Sequence, residues 1–112
     1  TRIIDLSHNK IVKIKNDMFS KGYFLVRLIL NSNKIEKIER DSFISLKLLV
    51  ELDLSSNLLN DLHYDTFKSL SKLEILNISF NYLKHINLNL MTELNSLIKL
   101  DLSHNQIAHI DE

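Results

Sequence analysis

Apolar residues recur along this chain every 24 residues, and their spacing inside each interval is as regular as the interval itself. The clearest stretch is Leu49-Val50-Glu51-Leu52-Asp53-Leu54-Ser55-Ser56-Asn57-Leu58-Leu59, which reads L-x-x-L-x-L-x-x-N-x-L. With the first leucine as position 1, the units are 1–24, 25–48, 49–72, 73–96 and a shortened 97–112, one continuous array. Positions 1, 4, 6, 11, 14, 19 and 22 are predicted to face inward. Of these 33 slots 31 are apolar, against a 45% background, with Thr1 and Gly22 the departures. Positions 4 and 6 alternate with 3, 5 and 7, the period of a strand with one buried face. Strands are predicted near 27–31, 51–55, 75–79 and 99–103, stacked in parallel about 4.8 Å apart.

After each strand the backbone must turn with no sheet partner for its polar groups. Asn9, Asn33, Asn57, Asn81 and Asn105 all fall at position 9. A side-chain amide both donates and accepts, so a stacked column of them satisfies buried main-chain groups along the turn. All five amides are predicted to be buried. On the return path Phe19, Phe43 and Phe67 share position 19, with Met91 in that place in the fourth unit, and should form a spine. Asp17, Asp41, Asp65 and Asn89 stand two residues earlier, where each suits the N-cap of a short helical turn. Proline is absent and Gly22 is the only glycine, so the repeat itself has to specify the turns.

Composition adds a few exclusions. There are no cysteines, hence no disulfide framework and no thiolate metal site. No apolar run approaches the length of a membrane span, and no signal-peptide pattern precedes the first unit. Formal net charge is +0, which offers no electrostatic reason to expect nucleic acid. The charge is nonetheless divided: residues 1–50 carry 10 Lys/Arg and 5 Asp/Glu, and residues 51–112 carry 4 and 9. No glycine-rich phosphate loop, nucleophile elbow or zinc signature occurs, so the chain is not expected to be an enzyme or to hold a cofactor.

The unit L-x-x-L-x-L-x-x-N-x-L-x-x-I-x-x-x-x-F-x-x-L resembles the typical 24-residue class of leucine-rich repeat proteins over the whole chain. It is similar to the ectodomains of Toll-type receptors, small leucine-rich proteoglycans and insect complement-like proteins. The plant variant, with its Gly-x-Ile-Pro segment, does not fit a proline-free chain. The resemblance implies an α/β solenoid: a horseshoe with a parallel concave β-sheet and short helical or 3-10 turns on the convex side. It further implies a protein-interaction module that offers a rigid concave recognition surface. The setting would be a secreted or cell-surface protein of the innate-immune or adhesion type; the alternative is a ligand-sensing or adaptor segment of a cytosolic protein. Such proteins cap their solenoids, often with cysteine-rich modules, and the absence of caps leads us to expect a piece of a longer chain.

Positions 3, 5, 7, 8 and 10 should line the concave face. Leu-Asp-Leu-Ser is common in the family, so the polar ladder reads as framework and the departures from it as candidate partner contacts. Ile29 stands where neighbouring units have Asp, while Leu58, Phe80 and Tyr82 gather at positions 8 and 10 of units three and four. Arg27 beside Glu51 is predicted to be a cross-strand ion pair. Lys10, Lys13, Lys15, Lys34 and Lys37 form a basic edge suited to an anionic glycan or lipid. Asp61, His85 and His109 follow one another at position 13, but two imidazoles and a carboxylate lack a fourth ligand, so no metal site is assigned. Asn77-Ile78-Ser79 is the one N-x-Ser/Thr sequon, and a glycan there would partly cover Ile29 and Phe80.

Overall fold

A computed structural model describes residues 2–111. Thr1, one of the two departures from the apolar pattern, lies outside the described residues. Five short strands, β1 (Ile3–Asp5), β3 (Arg27–Ile29), β5 (Glu51–Asp53), β6 (Ile75–Asn77) and β8 (Lys99–Asp101), make one parallel sheet in chain order. Every pairing is offset by one repeat: Ile4 lies beside Leu28, Leu28 beside Leu52, Leu52 beside Leu76 and Leu76 beside Leu100. The chain is a solenoid with this sheet as its concave wall. On one flank, β2 (Lys13–Ile14) pairs with β4 (Lys37–Ile38), and β7 (His85–Asn87) pairs with β9 (His109–Asp111). The third coil contributes no strand to this flank among the described residues.

The core follows the seven inward positions. Leu28, Leu52 and Leu76 are fully buried, as are Leu30, Leu54 and Ile78. Burial fades toward the last coil, where Leu100 is 38% and Ile110 64% exposed, although both were expected inside. An inward side chain of a solenoid is covered by the coil on either side of it, and these two have a neighbour on one side only. Gly22 has its own reason. A Cβ at that point would meet the Cδ2 of Leu46 at 2.6 Å, so the leucine of the next coil occupies the space a side chain would need.

The strands end two residues before the expected limits. At position 5 the side-chain oxygen of Asp5, Asp53, Asn77 or Asp101 accepts from the backbone N–H and hydroxyl of the serine two residues on, which starts the turn. Position 8 then adopts a left-handed backbone in every coil, with φ of 57° at His8, 59° at Ser32, 55° at Ser56, 56° at Phe80 and 56° at His104. None of these is glycine, and each conformation costs about 1–2 kcal/mol.

The asparagine that follows offsets this cost. Asn57 Nδ2 donates to the carbonyl oxygens of Leu54 (3.1 Å) and Ser55 (3.1 Å) in its own coil and of Leu30 (3.0 Å) in the coil before. Its Oδ1 accepts from the Ile35 N–H at 3.0 Å. Asn33, Asn81 and Asn105 bridge the preceding coil in the same way. His8 keeps its left-handed φ although Asn9 bonds only to carbonyls of its own coil, so those local bonds suffice to hold the turn. Burial of the column is uneven. Asn33, Asn57 and Asn81 are buried and Asn105 is half-buried, whereas Asn9 is exposed because no coil covers it; its Nδ2 still turns back to the Leu6 and Ser7 carbonyls.

On the convex side the rings of Phe19, Phe43 and Phe67 stand 6.4 and 6.3 Å apart, forming the expected spine. The fourth coil differs from the expectation. Leu90 is the buried anchor at 3% exposure, and Met91 packs only partly against the core. The helix there is a single 3-10 turn, Leu88–Met91, which starts two residues too early for Asn89 to cap it. Asn87 is the N-cap and accepts from the Asn89 N–H at 2.9 Å. Asp17, Asp41 and Asp65 sit in turns rather than at helix starts.

Replacing Asn57 by alanine strands three carbonyls and one N–H in the interior, and is expected to cost about 3–5 kcal/mol. Asn9→Ala, at a water-exposed turn, is expected to cost about 1 kcal/mol or less. Urea unfolding of the two variants measures the difference, and equal costs would refute the inter-coil role of the amide.

Candidate recognition surface

Register places the outward side chains of the wall in columns. The position 5 column runs Asp5, Ile29, Asp53, Asn77, Asp101, with each residue directly beside the next. Carboxylates therefore occupy alternate coils, and no two are adjacent. Like charges directly opposed on neighbouring strands are destabilising, so Ile29 and Asn77 act as neutral spacers. The serine hydrogen bonds hold the Asp5 and Asp101 carboxyls below the usual range. Asn77 uses its Oδ1 as these aspartates do, accepting from Ser79 N–H at 3.0 Å and Oγ–H at 2.6 Å. The Asn-x-Ser pattern thus has a structural role in the turn.

Arg27 Nη2 lies 3.3 Å from Glu51 Oε2, across β3 and β5, as predicted. Both side chains keep water contact, so the pair adds little stability and mainly sets local charge. Leu58, Phe80 and Tyr82 are exposed, by 37, 54 and 48% respectively. They stand at the rim where the sheet gives way to the asparagine turn. Sequence reasoning singled out Phe80 but missed its neighbour: the His104 ring lies on it face to face, with centroids 4.1 Å apart and planes 9° from parallel. The signal was available, since both residues hold position 8 on consecutive coils.

The basic edge is less free than its sequence suggests. Lys13 and Lys37 are register neighbours, and Lys13 Nζ lies 3.1 Å from Glu39. Glu39 also accepts from the Asn16 N–H, and this bond together with Lys13 lowers its carboxyl pKa. In the position 13 column, His85 Nε2 is 3.6 Å from Asp61 and His85 pairs in register with His109. Among the described residues, no group of three or more His, Asp or Glu is arranged to hold a metal ion.

The sequence profile of the family described as leucine rich repeat matches residues 1–59 and 49–107, two overlapping spans that together cover nearly all of the chain. This chain belongs to the leucine-rich repeat family. TLR13, solved in complex with ssRNA13, is similar at 33% identity and a TM-score of 0.84, over 90% of this chain and 15% of that one. Toll from Drosophila, solved with Spätzle in glycosylated form, shares the fold at 20% identity and a TM-score of 0.71, over 96% of this chain and 19% of that one. The leucine-rich repeats described here thus span under a fifth of the length of either receptor chain. No curated protein matches the chain.

A second polar cluster, which the pattern did not reveal, ties coils two and three of the leucine-rich repeat array together away from the wall. Asp65 accepts from Arg40 at 2.8 Å and from the His63 ring, and Lys68 lies 3.6 Å from it. Burial pushes the Asp65 carboxyl up, but the Arg40 and His63 hydrogen bonds outweigh it, so the net shift is downward. A carboxyl lowered in the folded state contributes stability that is complete above about pH 4, the unfolded value, and is lost as pH falls through the folded one. Urea midpoints are expected to drop between pH 5 and pH 3, and to drop less in Asp65→Asn. An identical acid slope in that variant would remove Asp65 from the account.

Proposed function

We propose that this leucine-rich repeat array is a protein-interaction module, a preformed recognition wall in a secreted or cell-surface protein of the innate-immune or adhesion type. The observation that carries the reading is the exposed group Leu58, Phe80 and Tyr82 at the rim of a mostly polar wall. Exposed aromatic side chains beside a polar surface supply the buried anchors that protein interfaces rely on. Ile29 and the Arg27–Glu51 pair extend the contact area toward the second coil. A wall hydrogen-bonded from coil to coil gives up little ordering entropy when a partner docks. The exposed group is apolar and aromatic, chemistry that suits binding rather than turnover.

Similarity to TLR13 and Toll supports an extracellular or cell-surface setting, and the Toll complex gives a protein ligand as precedent. No helix among the described residues is long and apolar enough to cross a membrane. RNA was left out of the expected partners on net charge alone. The ssRNA13 in the TLR13 complex makes RNA a required comparison in any binding test.

In the full-length protein, Phe80→Ala with Tyr82→Ala is expected to lower capture of the protein partner by about tenfold or more, the scale of one strong interface anchor. Pull-down with wild type and the double variant measures this, with circular dichroism to confirm folding. Unchanged capture by a folded variant refutes the reading.

In a secreted chain, Asn77 would also accept a glycan, placed on the wall between Asp53 and Asp101. Peptide mass mapping of protein from secreting cells is expected to find a glycan mass on the Asn77 peptide that disappears in Ser79→Ala. An unmodified wild-type peptide rejects the modification.

A further inference from the structure

We infer that the slot beside Phe80 is a stacking site for an arginine guanidinium of a protein partner, an assignment that rests on reading the wall as a protein-binding surface. The position 8 column supplies the geometry. Going back through the coils it runs His104, Phe80, Ser56, Ser32 and His8, all with the same left-handed backbone. His104 covers one face of Phe80. Ser56, in the coil on the other side, ends at a hydroxyl and cannot cover the opposite face, and Phe80 accordingly remains 54% exposed. A shallow cavity of about 530 Å³ opens there, with Ser56, Asn57, Phe80, Tyr82, His104 and Gln106 among its lining residues. Coils repeat about 4.8 Å apart, so a planar group lying on Phe80 comes level with Ser56 and continues the stack by one layer.

Charge selects the occupant. No lysine or arginine lines the cavity among the described residues. An RNA base could stack on the ring, but its phosphates would find no cation beside them. The field favours a cation. Residues 51–112 carry 9 acidic and 4 basic side chains, and on the wall Asp53 and Asp101 stand in the coils of Ser56 and His104 against the single cation Lys99 of β8. The Ser103 hydrogen bonds keep Asp101 ionised into the acid range. A planar cation gains from the ring face and from this field together, and guanidinium is the planar cation of proteins. Lysine shares the charge but lacks the plane.

The test uses saturation-transfer NMR with the intact full-length protein and three probes: acetyl-Gly-Arg-Gly-amide, its lysine counterpart, and a 13-nucleotide oligouridylate. The arginine peptide is expected to bind about threefold to fivefold more tightly than the lysine peptide, the scale of an exposed cation–π contact, and the oligouridylate not to compete. Phe80→Leu keeps an apolar side chain in the column but removes the aromatic face, and is expected to abolish the preference for arginine. Equal binding of the two peptides, an unchanged preference in Phe80→Leu, or displacement by oligouridylate would each overturn the assignment. If the arginine preference is absent while Phe80→Ala with Tyr82→Ala still loses the partner, the wall remains a protein-binding surface and only the guanidinium assignment falls. If the preference is present and the double variant keeps its partner, the fault lies in the reading of the wall.

Discussion

One amide per coil, bonded to its own coil and to the coil before it, is the constraint from which this fold is built. The strands of the wall are three residues long, too short to define a sheet by themselves. What aligns them is the turn that follows, where the chain bends through a left-handed residue and the position 9 side chain collects the carbonyls this bend turns inward. Because the same amide also reaches the coil before it, a single residue sets both the curvature within a coil and the spacing between coils. The leucine core then fills a frame whose dimensions are already determined.

Much of this could be read from the residues in advance, for a physical reason. Inward positions are selected by burial, and burial in a stacked coil depends only on register. Leu28, Leu52 and Leu76 therefore line up as the 24-residue interval requires. The phenylalanine spine was legible on the same ground. The convex return of the fourth coil was not. Asn87-Leu88-Asn89-Leu90-Met91 offers two asparagines and three apolar side chains within five residues, and spacing alone does not decide which asparagine caps or which side chain goes inside. Packing decided for Asn87 and Leu90.

The left-handed backbone at position 8 was hidden for a different reason. Its occupants are His, Ser, Ser, Phe and His, none with a local preference strong enough to announce that conformation. The strain is imposed from outside, by the asparagine next in the chain. On the recognition wall, the ion pair of Arg27 with Glu51 and the exposure of Phe80 and Tyr82 were legible because columns follow from register. The part played by Ile29 and Asn77 emerged only when the whole position 5 column was laid out, since a spacer has meaning only relative to what it separates.

The interrupted flank has a mechanical side. Backbone bonds join the first two coils there through β2 and β4, and the last two through β7 and β9, while residues 60–63 of the middle coil pair with neither. Leu62 is correspondingly less buried than Ile14, Ile38 and Ile86 in the same register, and an opening of about 680 Å³ lies between coils two and three. The interruption is confined to this flank, since the wall and the asparagine column pass through the middle coil unbroken. There the Arg40–Asp65–His63 cluster takes the place of the missing backbone bonds as the clasp between coils two and three.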